Sequence, residues 1–282
     1  MASLTRRQVE YRVRAAKVLI VGNAPRLRGV NLSDQDLQEV DLSGLTLMGA
    51  NLSRANLIRA NLSQTNLVHA NLSEANLNEA TLSGSFLEEA ILSGASLVGA
   101  RLHGTDLTRA SLEHANLDRA VLAQAILPGA RLFAATLRAA DLSGADLSRV
   151  DLVEANLSEA DLGSAILVEG DLTGAVLTRS TMRRADLTGA CMACANLTEA
   201  NLAEANLAGA YLADAILCDA SLAGASLVGA SLQGANLTGA RISSADLTGA
   251  NLDGAYLHNA CYDRLTKWPG SFDPSTAGAM LE

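Results

Sequence analysis

Cysteine, histidine and paired aspartate are the residues through which this chain could do chemistry. Cys191 and Cys194 form a Cys-x-x-Cys pair, a spacing that serves metal ligation or thiol exchange. A structural zinc site needs four ligands within tetrahedral reach, and Cys218 and Cys261 lie well downstream. A redox pair wants a helix N-terminus to lower one thiol pKa. The histidines are His69, His103, His114 and His258. Acids recur twenty residues apart, as Asp141 with Asp161 and Asp151 with Asp171, an arrangement that could hold a cation. Asn-Leu-Ser and Asn-Leu-Thr triplets match a glycosylation acceptor pattern, but their number marks them as by-products of a repeat. Whether any of these groups meet depends on the element that carries them.

That element is a five-residue repeat. From Leu27 to Leu257, every fifth residue is Leu, except Met182, Met192 and Ile242. Two places earlier stands a small residue, usually Ala, as at Ala50, Ala55, Ala60 and Ala70. Between them is often Asn or Asp, as at Asn51, Asn56 and Asp141. A step of five matches neither the 3.6-residue helix nor the two-residue strand. On a helix it would rotate each leucine by about 140° and scatter the series around the axis. It fits one flat side of a square coil, with four units closing a turn of twenty residues. The frequent Gly before a unit boundary, as at Gly224, Gly229, Gly234 and Gly239, suits a strained corner.

The A-(N/D)-L-x-x unit resembles the pentapeptide repeat family, and it covers about four-fifths of the chain. The resemblance implies an all-β fold, a right-handed quadrilateral parallel β-helix with Leu and the preceding Ala inside and three positions facing solvent. The 47 positions from Leu27 to Leu257, taken four per coil, make nearly twelve coils, a rod of roughly 55 Å at the spacing of paired strands. Residues twenty apart become neighbours. Under that rule Asp141 stacks on Asp161 and Asp151 on Asp171, while Cys191 and Cys194 share one side, Cys261 falls on the opposite side and Cys218 on a neighbouring one. His103 and His114 also separate, and no nucleophile has a base and an orienting group converging on it. A leucine-filled interior offers no concave site. No catalytic residue, cofactor or metal is therefore expected.

The ends differ from the middle. Residues 3–21 read as one helix, with Val9, Val13, Ala16 and Ile20 on one face, Ser3 or Thr5 as its cap and Gly22 as its stop. Residues 1–24 then form an N-terminal capping helix and turn, covering core and strand edges that a solenoid end would expose. Residues 25–260 are the repeat. Residues 261–282 gather Tyr262, Leu265, Trp268, Pro269, Phe272 and Pro274 and form a C-terminal cap, similar to the closing segment of cyanobacterial-type family members.

Charge narrows the partners. The chain carries a net −9. Arg6, Arg7, Arg12, Arg14, Lys17, Arg26 and Arg28 against Glu10 give residues 1–29 a net +6, which leaves −15 for the rest. That balance argues against nucleic acid as partner. No apolar run approaches the ~20 residues of a membrane helix, and no secretory signal is formed, so a membrane is not the expected partner and a cytoplasmic location follows by default. Aromatics at 3% exclude an aromatic-filled core, so function is expected outside. Sorting by twenties collects outward apolar residues on one side: Met48, Val68, Phe86, Ile126, Pro128, Ile166 and Val168, flanked by Asp106, Asp146 and Asp186, with Arg109, Arg149 and Arg131 near the corner. Such a patch marks a site for a protein partner. The expected function is a non-catalytic interaction scaffold, a monomer or an end-to-end or side-to-side homodimer. One alternative is membrane association through the basic N-terminal helix. The family resemblance implies another, a DNA-mimicking rod that binds DNA gyrase, but that branch often has Phe at the central position and projecting loops, and this repeat has neither.

Overall fold

A computed structural model describes residues 7–11, 13, 27–270 and 272–282. The chain divides into two compact units, Met1–Thr136 and Leu137–Glu282, a division for which the uniform repeat carries no signal. In the first unit, parallel bridges run at twenty-residue intervals from Asn31↔Asn51 to Asn116↔Thr136. In the second they run from Asp141↔Asp161 to Arg241↔Cys261. Each unit is therefore a ladder of coils, with four pentapeptides per coil.

The pentapeptide folds this way because, where Asn or Asp precedes the leucine, each backbone N–H of the unit finds an acceptor, as a buried backbone requires. Residues 51–55 show the scheme. Asn51 N–H donates to Val30 of the coil before at 2.9 Å, and Leu52 N–H to Asn71 of the coil after at 2.6 Å. Ser53 N–H turns back to the Asn51 side-chain Oδ1 at 3.1 Å. Arg54 N–H reaches Ser73 at 2.9 Å, and Ala55 N–H closes a β-turn on Leu52 at 3.1 Å. Asn or Asp before the leucine is thus an Asx acceptor for an N–H that has no coil neighbour. A following Ser or Thr adds its hydroxyl, as when Ser63 Oγ donates to Asn61 Oδ1 at 2.7 Å.

The corner requires the residue two places after each leucine to be left-handed. Every such position, from Gly29 to Asn259, has φ between 51° and 70°. With the i+3→i hydrogen bond this is the signature of a type II turn. Pro128-Gly129 after Leu127 places the preferred residues at both central positions, and Ala130 N–H closes that turn at 3.0 Å. Proline also removes the N–H that Ile126, lacking a side-chain acceptor, could not have satisfied. Where Ser96 replaces Asn, the acceptor comes from the coil before: Asn78 Oδ1 takes Val98 N–H at 2.9 Å and Ser96 Oγ–H at 2.6 Å.

Inside, the central residues from Leu27 to Leu257 are at most 7% exposed, and most of the preceding alanines are no more than 1% exposed. Each buried leucine contributes about 2 kcal/mol, and only stacked coils can bury it. Polar intruders at the alanine position are satisfied. Thr65 Oγ1 donates to the Leu42 carbonyl at 2.9 Å and Thr105 Oγ1 to that of Leu82 at 2.8 Å. Volume is also matched, because the larger Val150 sits against Gly170, where an added Cβ would lie 3.3 Å from Val150 Cγ1.

The ends depart from the unit. Residues 7–11 and 13 are helical, with Val9 and Val13 buried. Ala16, Ile20, Ser3, Thr5 and Gly22, on which the expected cap also depends, lie outside the described residues. At the other end the coil outlasts the pentapeptide pattern. Lys267 bridges Asp246 at a step of twenty-one rather than twenty, so one extra residue is accommodated between 261 and 267. Strand β1, Cys261–Tyr262, then pairs in parallel with β2, Met280–Leu281. Thr266 Oγ1 donates to the Ile242 carbonyl at 3.0 Å, the same device as Thr65 uses. Trp268 stacks on Phe272 and meets Tyr262 edge-on, with centroids 5.3 Å apart in both pairs.

Gly170→Ala tests the volume matching. It is expected to destabilise the chain by about 1–2 kcal/mol through overpacking, and Val150→Ala in the same chain is expected to recover most of that loss. Thermal or denaturant unfolding of both variants measures it; equal loss with and without Val150→Ala contradicts the matching.

Candidate functional site

With the leucines and alanines inside, only three positions of each unit reach the surface. On the side picked out by its apolar residues, the first unit places Phe86 between Asn66 and Asp106, and Ile126 beyond Asp106. Phe86 is 50% and Ile126 42% exposed, while Met48, Val68 and Pro128 are half-buried. Met48 and Val68 occupy the position after a leucine, and their carbonyls accept from Gly29 and Gly49 at 2.9 Å. The second unit places Ile166, 42% exposed, between Asp146 and Asp186, with Val168 half-buried. In each unit the aliphatic or aromatic residue alternates with aspartate along the column. The surface is striped, with the flanking aspartates standing between the apolar rungs.

Each aspartate serves its own turn. Asp106, Asp146 and Asp186 take the N–H two residues on through Oδ1, at 2.9, 3.0 and 3.1 Å. Asp246, in the same register of the second unit, also meets Lys267 Nζ at 2.8 Å. That lysine, together with the Thr248 hydroxyl and N–H, holds the Asp246 carboxyl at about 2. At the C-terminal segment, Ser244 Oγ, Ser244 N–H and Thr266 hold Asp263 at about 2 as well.

The corners carry ladders of opposite charge. Arg109 reaches Glu88 and Glu89, both at 2.7 Å, and His69 approaches Glu89 at 3.2 Å. Arg54 pairs with Asp34, Arg59 with Glu79, and Arg131 with Glu113. In the second unit Arg149 pairs with Glu169, Arg179 with Glu199, and Arg183 and Arg184 with Glu204. The arginines hold Glu79, Glu199 and Glu204 below the usual carboxylate range. These pairs are exposed and add little to stability individually. They do place positive charge among the acids along the corners.

The chemistry-bearing residues of the sequence do not converge. Cys191 is half-buried, with Sγ 3.1 Å from Thr173 Oγ1, and Cys194 occupies an exposed left-handed corner. Burial and the Glu282 carboxylate raise the Cys261 thiol pKa, which disfavours a reactive thiolate. All four histidines are exposed, and His114 packs edge-on against Phe133 at 5.5 Å. Asp141 does stack on Asp161, and Asp151 on Asp171, but each also caps its own turn. Sorting by type alone passed over Tyr211 and Tyr256, 59% and 65% exposed, and Ile91 and Ile216. All four stand immediately before a central leucine, so their outward direction was readable from phase.

Stacked five-residue units with a leucine core and outward short side chains define a β-helical repeat protein. The pentapeptide repeat family model matches residues 25–54, 55–94, 89–122, 115–153, 155–192, 195–234 and 230–261. The chain belongs to the pentapeptide repeat family, and with it to the right-handed β-helices. Among solved structures it is similar to HetL, a pentapeptide repeat protein involved in heterocyst differentiation regulation from the cyanobacterium Nostoc sp. strain PCC 7120. The two are 34% identical over 91% of this chain and 96% of that one, with a TM-score of 0.31. It is also similar to Rfr23 from the cyanobacterium Cyanothece 51142, 40% identical over 35% of this chain and 63% of that one, TM-score 0.24. QnrB1, a plasmid-mediated fluoroquinolone resistance protein, is 21% identical over 66% of this chain and 91% of its own, TM-score 0.41. No curated protein sequence matches the chain. No helix among the described residues is long and apolar enough to cross a membrane.

Removing the partner of Asp246 gives a titration test. In Lys267→Met, the Asp246 carboxyl is expected to titrate above its value of about 2, toward the ordinary carboxylate range. The sign follows from linkage: a depressed folded pKa contributes stability above the unfolded pKa and loses it as pH falls through the folded one. The wild-type contact should thus persist from neutral pH to about pH 4 and fade toward pH 2. Carboxyl NMR titration measures this, and an unmoved Asp246 pKa contradicts the assignment to Lys267.

Proposed function

We propose that this protein is a non-catalytic interaction scaffold that presents flat sides of its β-helix to a protein partner. The observation that carries the reading is the exposure of Phe86 and Ile126 on one side of the first unit, on rungs either side of Asp106. Met48, Val68 and Pro128 extend that side, and Ile166 and Val168 form the corresponding register of the second unit. A leucine-filled interior supports a role without catalysis, since catalysis calls for a concave site from which water is excluded. The involvement of HetL in heterocyst differentiation regulation is compatible with a protein that works through contact.

The capping segments fit the same reading. Buried Val9 and Val13 support a role for residues 1–24 in covering the first coil. The Trp268–Phe272 stack supports a role for residues 261–282 at the last. The gyrase-directed reading ranks second, because the Arg–Glu ladders at the corners break up any continuous acidic stripe.

A pull-down from the source cell tests the scaffold reading. The intact chain is expected to recover a specific protein, and Phe86→Asp plus Ile126→Asp is expected to reduce recovery by tenfold or so, the equivalent of about 1.4 kcal/mol. Equal recovery by a folded double variant counts against this side.

A further inference from the structure

The stripe on the second unit has a definite chemistry. Asp146, Ile166 and Asp186 are successive rungs of one parallel ladder. Both aspartates commit Oδ1 to their own turns. The bridging residue Ile166 is 42% exposed, and Val168 lies beside it two residues on. At the ~4.8 Å spacing of paired strands, the two carboxylates stand about 9.6 Å apart, with an apolar rung midway. Of the corners flanking the stretch, Gly144, Ser164 and Gly189 are short, while Arg149, Glu169 and Arg184 are long and exposed. The flanking arginines are engaged with glutamates, Arg149 with Glu169 at 2.8 Å and Arg184 with Glu204 at 2.7 Å. Asp186 also accepts from Asn206 Nδ2 at 3.2 Å, and neither aspartate forms an ion pair among the described residues. The same column shows what it accepts, for Asp246 takes the ammonium of Lys267 from the neighbouring rung at 2.8 Å.

We propose that the Asp146–Ile166–Asp186 column docks a basic amphipathic helix of a partner protein, with cations seven residues apart and an apolar residue between them. Seven residues of helix rise about 10.5 Å, which matches the carboxylate separation, and residues three or four on lie midway on the same face. An extended peptide repeats each face at about 6.8 Å and misses the register. The proposal rests on the scaffold reading and gives it a partner class at one side of the second unit. A second copy of this chain is a poorer occupant. Its basic N-terminal segment, including exposed Arg7, has the charge, but Val9 and Val13 are already buried and cannot supply the apolar rung.

The test uses the full chain and a labelled eighteen-residue synthetic helix with Arg at two positions seven apart and Leu three and four residues after the first. Fluorescence anisotropy at physiological salt reads binding. Saturable binding is expected, weakened about tenfold or more by Ile166→Asp and by Asp146→Lys with Asp186→Lys, and unchanged by Asn236→Lys on another side. A peptide of the same composition with its arginines four apart should also bind about tenfold more weakly. Equal binding by the two peptides, or by wild type and Ile166→Asp, overturns the proposal, because diffuse charge attraction then suffices. Sedimentation of the chain alone covers the other occupant. Self-association abolished by Ile166→Asp would assign the column to a second copy and also overturn it. Loss of the cellular partner in the Phe86 and Ile126 variant, with no peptide binding here, would refute this proposal and leave the scaffold reading standing.

Discussion

The corner after each leucine is the constraint from which the rest of the structure follows. The chain must turn about every five residues, and it does so with a left-handed residue at each corner, from Gly29 to Asn259. For an L-residue that conformation costs of the order of 1–2 kcal/mol, yet Glu, Arg, Asp, Gln and Cys occupy it as well as glycine. The turn hydrogen bond, the ladder bonds on either side of it and the buried leucine offset the cost together. The turn bond is local, but the ladder bonds and the burial of the leucine exist only when the next coil is in place.

This division of labour explains which positions are free to carry function. The leucine and the small residue before it are committed to the interior. The residue between them is usually committed as an acceptor to its own turn, and at the apolar rungs that acceptor is given up. Pro128 dispenses with the turn N–H beside Ile126, and Asn78 serves it for Ser96. The apolar rungs are thus substitutions that the hydrogen-bond scheme can tolerate. The corner residues are free of the scheme in their side chains, and they hold most of the ion pairs.

Much of this is written in the sequence. The leucine phase and the alanine two places earlier identify the interior, and the twenty-residue neighbour rule places Asp141 on Asp161 and Cys191 beneath Tyr211. Other features cannot be read in that way. Left-handed φ is legible at Gly174 but not at Glu154 or Arg179, since nothing in those side chains asks for it. The substitute acceptor Asn78 acts across a coil. The shift to a twenty-one-residue step at Lys267 occurs where the repeat signal has already stopped, so the C-terminal coil reads as an irregular tail. The candidate side was legible in its apolar members and its flanking aspartates but not in its degrees of exposure, because Phe86 and Ile126 stand out just before a leucine while Met48, Val68 and Pro128, just after one, are half-buried.

Native-state hydrogen exchange tests the central claim, that one hydrogen-bond scheme repeats through every pentapeptide and holds each unit together. Leucine amides and left-handed corner amides donate to the next coil and should be strongly protected. The amide just after each leucine never donates to a backbone carbonyl of the next coil, only at most to a partly exposed Asn or Asp side chain, and should exchange at least about tenfold faster. The account predicts this contrast with a period of five residues through both units. Uniform protection within the pentapeptide, or protection strongest just after the leucine, would contradict it.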